Sequence, residues 1–156
     1  MTFEKFIKDY SKKCLIKKQA TDFSAIENLI SRGYKEIKIA QANIPIDEGI
    51  AFTTAYTAML HAGRALMFSK GFRPIDGYQH KTVVDFASII LGKEYEKLVL
   101  HFDKMRRKRN LFTYEVSISI SIAEVKGALK SASNFIKAIR DIIEKNNPQH
   151  RFKFKL

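Results

Sequence analysis

One cysteine, three prolines, seven glycines and no tryptophan leave this chain poor in residues that staple or turn a backbone. A lone Cys14 can form no internal disulfide, so a reducing, cytoplasmic setting is expected. Scarce Gly and Pro disfavour an all-β fold with its many turns, and equally a disordered chain. Acidic residues are also under-represented: 16 Asp and Glu face 28 Lys and Arg, for a net charge of +12. Long hydrophobic runs are missing. The longest uncharged stretch, Gly49 to Gly63, contains Thr and His and falls short of the roughly 20 apolar residues a membrane-spanning helix needs. The first residues, "MTFEKFIKDYSKK", are too charged for a secretory leader. A soluble protein with no membrane contact is expected.

The hydrophobic share is 46% over 156 residues, enough for one domain with a proper core. That domain is expected to span residues 1–156, with its core over about 3–145 and a basic tail at 146–156. The surplus positive charge attracts polyanions, which makes nucleotide, RNA or an acidic protein the natural partner classes.

Helical periodicity dominates. Phe3, Phe6, Ile7, Tyr10 and Cys14 fall on one stripe and predict a short first helix from Phe3 to about Lys17, capped by Thr2, with Cys14 as a small buried hydrophobe. Ser24 and Glu27 form a capping-box pattern ahead of a second helix. Pro45 breaks it, Asp47 can cap the next, and that third helix is predicted over Glu48 to Lys70 with Gly71 as its stop. "FRPIDGYQ" is predicted to be a loop, with helix resuming at about His80 and interrupted at Gly92. A long helix then carries Tyr95 through Tyr114. "VSISISI" alternates like a strand but has no partner, so an extended connector is expected. Ser121 and Glu124 form another capping box before the last long helix. Together these predict an all-α fold, an antiparallel up-and-down four-helix bundle with an additional short helix at the N-terminus.

Several chemistries lack their residues. There is no Gly-rich phosphate loop. His61, His80, His101 and His150 have no zinc spacing and form no Glu-x-x-His pair, so neither a metal nor a cofactor is expected. The densest chemistry is "HFDKMRRKRNLFTYE", His101 to Glu115, with five cations between Lys104 and Arg109. On a helix Arg106 and Arg109 fall beside the apolar stripe of Phe102 and Met105, whereas Lys104 and Lys108 point elsewhere. Asn110 and Tyr114 stack four apart. Arginine, amide and phenol at a groove can grip phosphate or base edges; the plainer alternative is a solvated helix end whose cations suit its dipole.

"AYTAMLHAGRALMFSKGFRP", Ala55 to Pro74, resembles the second core helix of HEPN domains, and His80 resembles the His that opens the following helix there. "RNLFTY", Arg109 to Tyr114, resembles the HEPN signature of an Arg, a polar residue and, a few places on, a His. The resemblance covers about Phe3 to Lys145. It implies a helical bundle that commonly dimerises with the signature helices facing each other, often beside a minimal nucleotidyltransferase in a toxin–antitoxin-type pair. Many members are metal-independent RNases using the Arg and the His. Here Tyr114 stands in the His position, and a phenol with an ordinary pKa near 10 is a poor base at neutral pH.

The leading expectation is therefore a homodimer that binds nucleotide or RNA phosphate through Arg106, Arg109, Asn110 and Tyr114, as the partner of a minimal nucleotidyltransferase, with little or no nuclease activity and no assigned catalytic residue. One alternative is an active RNase toxin in which His101 or Tyr114 replaces the missing imidazole. Another is a ligand-free interaction module associating through Ala55, Ala58, Ala62 and Gly63.

Overall fold

The computed structural model describes residues 1–75, 79–149 and 151–152. Among them the chain forms α1 (Phe3–Lys12), β1 (Ile16–Lys18), α2 (Phe23–Asn43), α3 (Glu48–Ser69), β2 (Phe72–Pro74), α4 (Gln79–Leu91), α5 (Glu96–Tyr114) and α6 (Ile122–Asn146), with one 3-10 turn at Lys93–Tyr95. The fold is mostly helical, as expected, with a single small antiparallel ribbon of β1 and β2. No helix among the described residues is long and apolar enough to cross a membrane.

Several helix starts follow directly from the sequence. Lys5 N donates to Thr2 Oγ1 at 3.2 Å and Ile50 N donates to Asp47 Oδ1 at 2.9 Å. The capping box at α6 is complete: Glu124 N donates to Ser121 Oγ, and Ser121 N donates to Glu124 Oε2. Each such cap contributes about 1 kcal/mol by occupying an N–H that the helix itself cannot. The second helix starts differently. Asp22, not Ser24, is the cap, accepting from Ala25 N at 2.8 Å. An Asp two residues earlier takes over the orphan donors of the first turn, so the Ser24–Glu27 pattern falls inside that turn.

The first helix is shorter than its stripe suggests. It ends at Lys12, Cys14 takes a positive φ of 56°, and the chain reverses into β1. Tertiary pairing wins here over local periodicity. Ile16 is buried opposite Pro74, and Ile75 N donates to Leu15 O, so both segments satisfy backbone groups that a continued helix would have left facing the core. Cys14 is consequently exposed rather than buried. The same pairing makes Phe72–Pro74 a strand where a loop was expected; residues 76–78 of that loop lie outside the described residues, as do residues 150 and 153–156 of the basic tail. The alternating segment after α5 is an irregular connector, in line with its lack of a partner.

At the centre lies α3, packed against α2, α4, α5, α6 and β2. Its small residues explain this. Ala55, Ala58, Ala62 and Gly63 are all buried and let the neighbouring helices approach its backbone closely. They are consumed inside the chain, so they are not the association surface that the interaction-module alternative required.

Candidate phosphate-binding site

The site forms where α3, α4 and α5 meet. Gly63 sets that meeting point. A Cβ placed there would lie 2.3 Å from Val83 Cγ1 of α4 and 3.8 Å from the Phe102 ring of α5. Only a glycine allows the start of α4 to lie so near α3. This approach brings His80, on the first turn of α4, to fully buried Tyr56 of α3, with 2.8 Å between the phenol oxygen and Nδ1.

The rotation of α5 follows from its apolar stripe. Val99, Phe102 and Met105 are its buried residues, and Phe102 packs on Tyr56 and Phe135 with ring centroids 5.8 and 4.9 Å away. Arg106 and Arg109 continue that stripe beyond Met105, so their charge bears on the Tyr56–His80 pair. Farther along, Phe112 lies over Gly49 of α3 and anchors the end of the helix.

The electrostatics are one-sided. Burial holds the His80 imidazole below its ordinary 6.5, and the charges of Arg109, Arg106 and Arg64 push it the same way. No carboxylate is among the causes of that shift. Burial raises the Tyr56 phenol well above its ordinary value; Arg109 and Arg106 pull it down and the Asp103 carboxylate adds to the rise, so Tyr56 keeps its proton. The hydroxyl makes no other hydrogen bond among the described residues. Donation of its proton to Nδ1, with the imidazole hydrogen on Nε2, is the assignment that gives the phenol an acceptor at this 2.8 Å contact.

The three arginines are unequally matched. Arg106 donates to Asp103 Oδ1 at 2.8 Å, and Arg107 also reaches Asp103, at 2.7 Å. Burial would raise the Asp103 carboxyl, but those two guanidiniums outweigh it and hold it below the usual range. Among the described residues, Arg109 has the side-chain carbonyl of Asn110 as its one side-chain hydrogen-bond partner, at 3.3 Å. The Arg64 Nε is buried and makes no hydrogen bond among the described residues. Among the described residues, neither Arg109 nor Arg64 forms an ion pair.

The four residues singled out in the sequence are thus divided. Arg106 and Arg109 join the Tyr56–His80 centre, and Asn110 touches it through Arg109. Tyr114 stands apart: it is 81% exposed and lines a shallow recess of about 440 Å³ with Arg107, Asn110, Leu111 and Glu115. His101, one candidate for the missing imidazole, is engaged elsewhere, 2.5 Å from Ser131 Oγ in a groove toward α6. The imidazole at the arginines is His80. Sequence reasoning did not place Tyr56 and Arg64 in the site. The available signal was Arg64 itself, the only Lys, Arg, Asp or Glu between Gly49 and Ser69, on a helix buried nearly all round. No group of three or more metal-ligating side chains occurs among the described residues.

What this arrangement can do chemically is bind an anion. Arg109 and Arg64, which form no ion pair among the described residues, and the imidazole of His80 offer donors to such a ligand, and partial burial strengthens each interaction. In comparisons with known proteins, no family model matches the chain and no curated protein matches it, so the site's chemistry rests on its own residues.

Proposed function

We propose that this chain is a HEPN-type helical protein that binds the phosphate of a nucleotide or RNA at the junction of α3, α4 and α5. Arg109 and Arg64 are the main anion-binding groups, Arg106 and His80 support them, and Asn110 orients Arg109. In this reading α2, α3, α5 and α6, the longest helices, form the antiparallel four-helix bundle of that family and α1 is its N-terminal addition. The protein works as a homodimer and as partner of a minimal nucleotidyltransferase in a toxin–antitoxin-type pair. Exposed Tyr114 and Asn110, on the rim recess, offer a stacking surface for a base. The observation that supports the reading best is the unbalanced positive field at His80, to which three arginines contribute and no carboxylate does.

The test is binding of a short RNA and of adenosine monophosphate to wild type and Arg109→Ala. Loss of a charge-assisted bond costs about 1.5–3 kcal/mol, so affinity falls roughly ten- to a hundredfold. Equal affinities for both proteins would remove the assignment.

A second reading, an active metal-independent RNase, gains support from His80. Although Tyr114 stands at the signature position, an imidazole does reach the arginines from another helix. Prolonged incubation of RNA with purified protein decides between them: cleavage abolished by His80→Ala supports the nuclease, and intact RNA leaves binding alone.

A further inference from the structure

Away from the arginine junction, the facing sides of α5 and α6 enclose a second cavity, a groove of about 450 Å³ lined also by Phe52 of α3. Two side-chain contacts bridge the helices there. His101 Nδ1 lies 2.5 Å from Ser131 Oγ, and Lys108 Nζ lies 3.3 Å from Glu124 Oε1. These contacts stand two turns apart on each helix, roughly 10 Å, so the groove is bounded at both ends. Lys104 and Gly127, which also line it, come midway between them. We propose that this groove binds a small aromatic monocarboxylate, with its ring on the apolar floor of Phe52, Met105 and Gly127 and its carboxylate on Lys104 and His101 Nε2.

The glycine points to a ligand first. Gly127 lies inside the 25-residue α6, where glycine weakens a helix relative to alanine, and its φ is not positive. Packing does not require it either: a Cβ placed there would meet nothing within 4 Å, in contrast to Gly63. The missing side chain leaves open floor that a flat ring can cover. Met105, nearly all buried, brings a thioether, which makes favourable contacts with aromatic rings. Charge then selects the head group. Glu124 offsets Lys108 with one oxygen and accepts from Ser121 N with the other. Burial, and then the Lys104 charge, hold the His101 imidazole below its ordinary 6.5, so it is neutral near pH 7. Lys104 forms no ion pair among the described residues, which leaves one positive charge on the lining for one negative charge on the ligand. Ser131 has the part of a positioning residue. Its contact at Nδ1 leaves Nε2 as the ring nitrogen for a ligand, and a carboxylate there selects the tautomer with its hydrogen on Nε2. The bounded ends set the size, since such a trough takes a small molecule rather than a strand passing through.

Fluorescence titration of the full chain with 1-naphthoate tests this, since the protein has no tryptophan to overlap the probe. Wild type is expected to bind 1-naphthoate, and to bind neutral 1-naphthalenemethanol at least about tenfold more weakly for want of a charge-assisted hydrogen bond. Lys104→Gln should bring the two probes to nearly equal affinity. Ser131→Ala should weaken naphthoate more than the alcohol. Gly127→Leu should abolish naphthoate binding without lowering the melting temperature, and Gly127→Ala should raise that temperature by about 1–4 °C. Arg109→Ala should leave naphthoate affinity unchanged, which separates this groove from the phosphate site. Equal naphthoate affinity of wild type and Gly127→Leu would put the probe elsewhere and overturn the proposal, as would no binding by wild type at about millimolar concentration. A lower melting temperature for Gly127→Ala would show that packing needs the space, and would overturn it too. If adenosine monophosphate displaces naphthoate and itself binds more weakly to Lys104→Gln, the groove takes a phosphate and the carboxylate assignment falls.

Discussion

The two sides of α5 carry cations of the same sign a few residues apart, yet the molecule treats them differently. Toward α3 and α4, Arg106 and Arg109 crowd a buried phenol and a neutral imidazole, and Arg64 adds a third guanidinium. Toward α6, Lys104 and Lys108 line a groove of about 450 Å³ with His101 and Glu124. There Lys108 lies 3.3 Å from Glu124, and the lysine and its carboxylate both keep contact with water. Arg107 is exposed and paired with Asp103. Cationic density alone therefore does not mark a site. What distinguishes the inner side is that its arginines lie half-buried against a buried phenol, and that Arg64 and Arg109 have no carboxylate partner among the described residues.

This contrast can be broken most strongly at Gly63. A methyl group at this position meets Val83, whose β-branched side chain cannot swing aside, so α4 must shift. Gly63→Ala is expected to cost about 1–3 kcal/mol, read as a lowered midpoint in urea, and to weaken phosphate binding because His80 moves with α4. The next effect is smaller. Tyr56→Phe removes the hydrogen bond to Nδ1 and should cost about 1 kcal/mol. Its imidazole nitrogen shifts, followed by NMR, should show the Nε2–H tautomer losing its dominance.

A pH scan sharpens the comparison. His80 and His101 are both held below their ordinary 6.5, first by burial and then by neighbouring cations: the arginines for His80, Lys104 for His101. The unfolded chain takes up these protons first. Stability is therefore complete above about pH 6.5 and is lost as pH falls below it toward the folded-state values. The melting temperature should drop between about pH 7 and about pH 5.5, and His80→Gln should flatten part of that fall. The smallest effect belongs to the outer side: Lys104→Ala and Lys108→Ala should each change stability by no more than about 0.5 kcal/mol.

Much of the frame could be read from the chain. Asp47 and the Ser121–Glu124 box mark their helix starts, and Gly92, with its φ of 69°, marks the break before α5. These are local devices whose partners lie within four residues. The misplaced features depend on distant partners. Nothing near Lys13 announces that Ile16 will pair with Pro74, and that pairing ends α1 and exposes Cys14. The site divides in the same way. Arg106 and Arg109 were legible because they continue the stripe of their own helix. Tyr56, Arg64 and His80 join them only through the close approach at Gly63, a contact of tertiary packing that periodicity does not encode. Tyr114 drew attention by its place in a signature, but its side chain sits on the exposed rim.

The central claim is that the unmatched inner arginines, not the overall positive charge, form the binding site. The most direct measurement is the affinity of a 5′-phosphorylated oligonucleotide for wild type, Arg109→Ala and Lys108→Ala, repeated from low to high salt. Each of the two variants removes one positive charge from the same helix. Arg109→Ala is expected to lose at least about tenfold at every salt concentration, because an interaction of a partly buried group is screened less than one in open water. Lys108→Ala should lose only a fewfold in low salt, and that loss should vanish near physiological ionic strength. Equal losses for the two variants, converging together as salt rises, would show that the protein binds through its net charge alone and would contradict the account.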